Sequence, residues 1–309
     1  RQRQMCIRDR TYLLRTRTLC AWLVGALLLN TAMTVQADTQ KPVVIGWVNW
    51  ADAEITTKLA TTILEDQLKQ PVKLIQADIG IQFQALANGK LDMIPMAWLT
   101  YSHKPFWDQY HDRLEDLGVL YEGRLGLAVP TTVPISEVAS IEDLNKPEVR
   151  AKLGGKILTS QVGNGQYMSA TRAIEQYKLD GYKLVASSET GMLNELDRNL
   201  KRDKWSLINA WSPHWMFSTR SLRYLDDPKE VYGKTEQIHA VARKGFTHDY
   251  PQVAHFFARF SIPVKDLEDM MKHARESSAD QVVAEYYAAH KGTYQAMFEA
   301  SPPVSTAQH

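Results

Sequence analysis

Cysteine is nearly absent from this chain. Cys6 and Cys20 are the only two, and both fall within the first twenty residues. The remainder therefore offers no disulfide, no thiolate metal site and no cysteine nucleophile. Long apolar runs are scarce as well. The stretch from Leu19 to Leu29 holds 11 apolar or small residues, too few for the ~20 that span a bilayer as a helix. Positive charge is concentrated at the N-terminus. Of 36 basic and 35 acidic side chains, residues 1–37 hold six Arg and one Asp, which leaves the rest at a net charge of −4. A body without a basic block gives nucleic acid no electrostatic footprint. Catalytic signatures are missing too: there is no phosphate-binding G-x-x-x-x-G-K-[ST] loop, no G-x-S-x-G elbow and no H-E-x-x-H. Gly163-Asn164-Gly165 lacks the third glycine of a dinucleotide loop. The nine histidines never fall at i, i+4 on a helix with a carboxylate partner, so neither a metal nor a cofactor is expected. The acidic pairs Asp226-Asp227 and Glu115-Asp116 read as solvated loop charges.

What remains is a chain of 309 residues, 44% hydrophobic and 23% charged, a soluble globular composition with length for about two domains of ~150 residues. Residues 1–37 read as a leader plus an export signal. Arg15 and Arg17 precede the short apolar run, and Val35-Gln36-Ala37 offers a small-residue cleavage site before Asp38. Residues 1–10 fit neither signal nor domain. The mature protein is thus expected to be exported, with the periplasm as its compartment.

From Lys41 onward short apolar runs alternate with helical patterns. Val43–Trp47, Val72–Ile75 and Leu91–Met96 read as strands, with helices at Ala53–Leu68 and Gln82–Ala87 between them, a parallel α/β unit. Leu125–Val129 is a further strand. A second unit opens at the capping pattern Ser140-Ile141-Glu142-Asp143. It carries strands at Lys156–Thr159, Lys183–Ala186 and Ser206–Ala210, with helices near Tyr167–Tyr177 and Met192–Arg202. Ile238–Ala242 is one more strand, and the rest is helical. The expected fold is α/β with two lobes joined by two crossover strands that form a hinge: lobe I at 41–127 and 240–300, lobe II at 128–239, and a flexible tail at 301–309. Ligands in open α/β sheets sit at the carboxyl ends of the strands, so the cleft belongs where those ends face each other.

Tryptophan is the positive signal. Trp47, Trp50, Trp98, Trp107, Trp205, Trp211 and Trp215 follow the signal. Trp50, Trp98 and Trp211 each sit just past an expected strand, at the ends that should border the cleft. Converging indole faces suit a quaternary ammonium, which donates no hydrogen bond and is held by cation–π attraction. Trp47 and Trp215 read as packing residues, and Tyr167 as a wall of the cleft. Asp52 fits an N-cap for the helix near Ala53 as well as a ligand contact. Asn164, between two glycines, fits a left-handed turn as well as a ligand contact. His214 would either pack in its loop or meet a ligand carboxylate.

The segments Trp50-Ala51-Asp52-Ala53-Glu54, Leu91-Asp92-Met93-Ile94-Pro95-Met96-Ala97-Trp98 and Glu122-Gly123-Arg124-Leu125-Gly126-Leu127-Ala128-Val129-Pro130 resemble a known family. So do Ser187-Ser188-Glu189 and Ala210-Trp211-Ser212-Pro213-His214-Trp215-Met216-Phe217. That family is the solute-binding proteins of bacterial ABC importers for glycine betaine, proline betaine and choline, and the resemblance runs from about Pro42 to Glu299. It implies a two-lobed, hinge-closing periplasmic binding protein fold (type II-like) whose Trp residues cage the trimethylammonium head. Trp98 and Trp211 would belong to that cage, with Trp50 a third. Some betaine binders place a Trp where this chain has Asn164. Choline-binding relatives supply Asn there, and Trp and Asp in the first-lobe loop, which matches Trp50, Asp52 and Asn164. The expected ligand set is Trp50, Asp52, Trp98, Asn164, Trp211 and His214. The expected function is capture of a quaternary ammonium compound by a monomer that delivers it to an ABC importer permease, without catalysis. Glycine betaine is the first ligand, and choline or carnitine the alternative. A secreted α/β hydrolase acting on a choline derivative is the rival from another class.

Overall fold

The computed structural model describes residues 40–299; the expected signal at 1–37 and tail at 301–309 lie outside them. The first strand, β1 (Val43–Trp47), leads into helix α1 (Ala51–Gln67), whose Ile55, Leu59, Ile63 and Leu64 are fully buried. Then follow β2 (Val72–Gln76), α2 (Ile79–Ala87), β3 (Met93–Trp98), α3 (Lys104–Tyr110) and the 17-residue β4 (Leu114–Pro130). The middle of the chain holds α4 (Pro147–Leu153), β5 (Lys156–Thr159), α5 (Gly165–Tyr177), β6 (Lys183–Ala186), α6 (Glu189–Leu200), β7 (Ile208–Ser212), α7 (Met216–Thr219) and β8 (Leu222–Tyr224). The last part is β9 (Glu236–Arg243), α8 (Phe246–Asp249), α9 (Pro251–Phe257), α10 (Val264–Ala274) and α11 (Ala279–Glu299).

Strand order is β2-β1-β3-β9-β4-β7-β5-β6, with β8 also paired to β4. All six residues of β3 are buried, the near-continuous apolar run of a strand covered on both faces. Pro95 lies in its middle and has no N–H for the ladder. Pairing with β9 accordingly slips between Ile94 and Ala97.

β4 is shared by the two parts of the sheet. Its first stretch, through Gly123, pairs antiparallel with β9, while Arg124 to Ala128 pair with β7 and Ala128 to Pro130 with β8. The chain returns through residues 225–235 to enter β9. Both β3 and β4 run antiparallel to β9, so the sheet is mixed and not purely parallel. The sequence pattern announces only Leu125–Val129 of β4. Upstream of it, irregularities at Asp116/Gly118 and Val119/Tyr121 break the two-residue alternation that marks a strand. β3 and β7 each end two residues later than their apolar runs suggest, so Trp98 and Trp211 lie within strands and not beyond them.

The first-lobe core gathers α1 against α10 and α11, with the fully buried rings of Phe256, Phe257 and Phe260 beside them. α11 is tied to α1 by the Tyr287 hydroxyl, which donates to Asp66 at 2.6 Å.

Candidate functional site

Trp50 is the N-cap residue of α1, in extended conformation with no side-chain capping bond. Helix α1 thus begins two residues earlier than expected, and Asp52 caps nothing. Trp98, the last residue of β3, is 3% exposed and lies against β4. A methyl group added at Gly123 would stand 2.5 Å from its Cη2, so only glycine lets the indole settle there. Trp211 comes from β7 in the second lobe and is 6% exposed. The three indoles line one cavity, together with Leu125, Ser102, His103, Ser160, Asn164 and Gln166. Among the described residues no charged side chain lines it.

His103 faces Trp50, ring centroids 6.0 Å apart at an interplanar angle of 30°. Its Nδ1 accepts the Trp98 N–H at 3.0 Å, which puts the ring proton on Nε2. Burial pushes its pKa down to about 3, so the ring is neutral and Nε2–H is a donor. The neighbouring Ser102 is fixed by Glu236, fully buried at the start of β9, whose carboxylate accepts from the Ser102 hydroxyl and from the backbone N–H groups of Tyr101 and Ser102 at 3.0 Å each.

From the second lobe comes the start of α5. Gly163 takes the left-handed conformation (φ +83°), and Asn164 is extended and serves as N-cap. The Asn164 Oδ1 accepts the Tyr167 N–H at 2.8 Å, and its Nδ2 donates to Ser160 Oγ at 2.6 Å. The Gln166 side chain is spent likewise: Oε1 accepts the Ser160 N–H at 3.1 Å, and Nε2 donates to the Asn209 carbonyl. The first two amides of α5, Gly165 and Gln166, have no acceptor among the described residues. Two free N–H groups at the positive end of a 13-residue helix attract an anion. Gly165 also marks where the lobes meet. A Cβ there would stand 2.7 Å from the Ser102 carbonyl oxygen and 2.9 Å from His103 Cδ2.

Of the residues expected from sequence, Trp50, Trp98, Trp211 and Asn164 come together at the cavity. Asp52 does not line it. Fully buried in the first turn of α1, its Oδ1 accepts the Trp211 indole N–H at 3.2 Å and its Oδ2 the Tyr121 hydroxyl at 2.7 Å. Burial raises the Asp52 carboxyl above its ordinary pKa, against the opposing pull of the Tyr121 bond. His214 does not reach the cavity either, because both ring nitrogens are engaged. Nδ1 accepts the Met216 N–H at 2.9 Å, and Nε2 faces Glu189 Oε1 at 3.0 Å. The ring supports Trp211 edge-on instead, with centroids 4.5 Å apart. The guanidinium groups of Arg220 and Arg275 both lie against the Trp215 ring. Ser102, His103, Leu125, Ser160 and Gln166 were not singled out by sequence. His103, five residues beyond Trp98 in a turn signalled by Thr100, Tyr101 and Ser102, was the one within reach. Among the described residues no cluster of side chains could hold a metal ion, and no helix is long and apolar enough to cross a membrane.

Residues 41–289 match the family described as the substrate-binding domain of ABC-type glycine betaine transport systems. A stretch of 128 residues, 41% of this chain, is 32% identical to the glycine betaine/carnitine transport binding protein GbuC of Listeria monocytogenes, of which it spans 43%. The fold is similar to that of lactococcal OpuAC in its closed-liganded conformation complexed with glycine betaine, with TM-score 0.78 and 28% identity over 84% of this chain and all of that one. It is also similar to that of the glycine betaine/L-proline-binding protein ProX from Borrelia burgdorferi, with TM-score 0.77 and 27% identity over 84% of this chain and all of that one.

Proposed function

We propose, from the premise that the chain belongs to the family of substrate-binding domains of ABC-type glycine betaine transport systems, that its cavity captures glycine betaine for delivery to a membrane permease. The observation that carries this reading is the lining: three indoles from both lobes, no charged side chain, and hydrogen-bond donors at one site. A trimethylammonium group is satisfied by π faces alone. Three desolvated faces at ~2 kcal/mol each supply much of the ~8 kcal/mol of a micromolar complex. The carboxylate of the same ligand calls for donors, which the His103 Nε2–H and the Gly165 and Gln166 amides offer. Glycine betaine is favoured over choline because Asp52, the carboxylate that would accept from a choline hydroxyl, is turned away behind Trp211 and engaged there. Asn164 contributes by fixing the start of α5 and so aiming its amides.

The work is capture and release with no bond made or broken, by an exported monomer in the periplasm. Closure of the lobes buries the cation and creates the surface that a permease reads. A fluorescence titration against 3,3-dimethylbutyrate tests the reading. That acid has the shape and carboxylate of glycine betaine, with carbon in place of the cationic nitrogen. Glycine betaine is expected to bind at least about a hundredfold tighter; equal binding of the two would overturn the cation–π site.

A further inference from the structure

The second-lobe wall of the cavity is held from the first lobe. Asp52 Oδ1 takes the Trp211 indole N–H at 3.2 Å. Its neighbour Ala51 donates its backbone N–H to Glu189 Oε2 at 3.1 Å, while the other oxygen of Glu189 holds His214, on whose ring Trp211 rests. Two successive residues at the start of α1 thus grip both ends of one second-lobe assembly. Glu189 owes its place to the start of α6, where Ser188 caps the helix by accepting the Gly191 N–H at 3.1 Å. The carboxylate of Asp52 is in turn fixed by Tyr121 on β4, the strand that passes from one lobe to the other.

We infer that Asp52 is a positioning residue for Trp211: it sets the plane of the second-lobe indole when the lobes close, and it acts on ligand affinity only through that ring. The inference rests on the cage reading above, and its chemistry follows from the bond. An indole whose N–H is held by a carboxylate cannot swing out of its cleft-facing position without leaving a buried acceptor unpaired. Electron density pushed into the ring by that bond also strengthens the face it offers a cation. Since Asp52 touches the ring and not the ligand, its removal should not discriminate between a ligand ending in a carboxylate and one ending in a hydroxyl.

A double-mutant cycle on the full chain separates the roles. Asp52→Ala is expected to lower affinity for glycine betaine and choline alike, by about tenfold, the scale of one lost charge-assisted bond. In a Trp211→Phe background, where no N–H exists to be held, the same change is expected to cost less than about twofold. Asp52→Asn keeps the volume and an amide oxygen that accepts the indole N–H, and is expected to restore affinity to within about threefold of the original. Selective loss of choline, or a full loss that persists in the Trp211→Phe background, would overturn the inference and make Asp52 a direct ligand contact. A spectroscopic readout keeps this distinct from the cage itself. In protein saturated with glycine betaine, and so closed, the Trp211 indole N–H proton resonance, assigned by its disappearance in Trp211→Phe, should move upfield in Asp52→Ala. An unmoved resonance would overturn the inference, whereas failure of the unaltered protein to bind any quaternary ammonium would overturn the cage reading instead.

Discussion

Trp98 and His103 are bonded to each other twice across a five-residue turn: the Trp98 N–H donates to His103 Nδ1 at 3.0 Å, and the His103 N–H donates to the Trp98 carbonyl at 2.7 Å. One indole of the cavity and its imidazole donor are therefore a single unit. Replacing His103 with Ala removes the Nε2–H that would meet a carboxylate and frees the turn. Glycine betaine affinity is expected to fall by about tenfold or more, and choline affinity by less, because choline has no carboxylate to lose a partner. Parallel calorimetric titrations check the difference.

The same ring makes stability depend on pH. His103 is neutral in the folded chain, its pKa pushed down to about 3 by burial, whereas an unfolded chain binds that proton near pH 6.5. The stability that this group permits is complete above about pH 6.5 and is lost as the pH falls from there toward 3. Between pH 7 and pH 5 the loss is on the order of 2 kcal/mol. Urea denaturation at the two pH values measures it, and His103→Gln should remove most of the difference.

Gly165→Ala is expected to block closure. The added methyl would press on Ser102 and His103 of the facing lobe, at 2.7–2.9 Å, while leaving each lobe free to fold. Binding should weaken by about a hundredfold or more with little change in circular dichroism. Tight binding by this variant would place the lobe contact elsewhere.

How much of this was legible in the sequence varies with the physics. The strands β5 and β6 are read to the residue, because short apolar runs bounded by glycines and charges leave no other choice. Trp50, Trp98 and Trp211 are found by their place near strand ends, since the topology of an α/β sheet decides where such ends go. For Asp52 and His214 the sequence leaves a structural role and a ligand contact both open, for one shared reason. Each has the chemistry of a ligand contact, but their partners, Tyr121, Trp211 and Glu189, lie 25 to 159 residues away in sequence. No local pattern records that a buried carboxylate is already occupied. The first half of β4 is hidden by its bulges, and the free amides of α5 by being backbone.

The indoles themselves carry a graded expectation. Trp98→Ala and Trp211→Ala should each weaken binding by at least about thirtyfold, the worth of a ~2 kcal/mol face. Trp98→Phe and Trp211→Phe should keep part of that, because a smaller π face remains. Equilibrium fluorescence of the remaining tryptophans reports both series.

Closure should be visible in the size of the molecule. With β4 changing partner from β9 to β7 at Gly123–Arg124, a ligand-driven rotation of the two lobes is expected to shorten the radius of gyration. Small-angle scattering with and without saturating glycine betaine measures this. An unchanged radius would describe a cleft that is rigid.

This cavity is expected to recognise a methylated cation joined to a carboxylate. Isothermal titration calorimetry of the unaltered protein with glycine betaine, and with glycine as the unmethylated counterpart, tests it most directly. Saturable one-to-one binding of glycine betaine is expected, weakened at least about thirtyfold in Trp98→Ala, with no measurable binding of glycine. Binding of glycine as tight as that of glycine betaine, or no heat with glycine betaine at millimolar concentration, would contradict it.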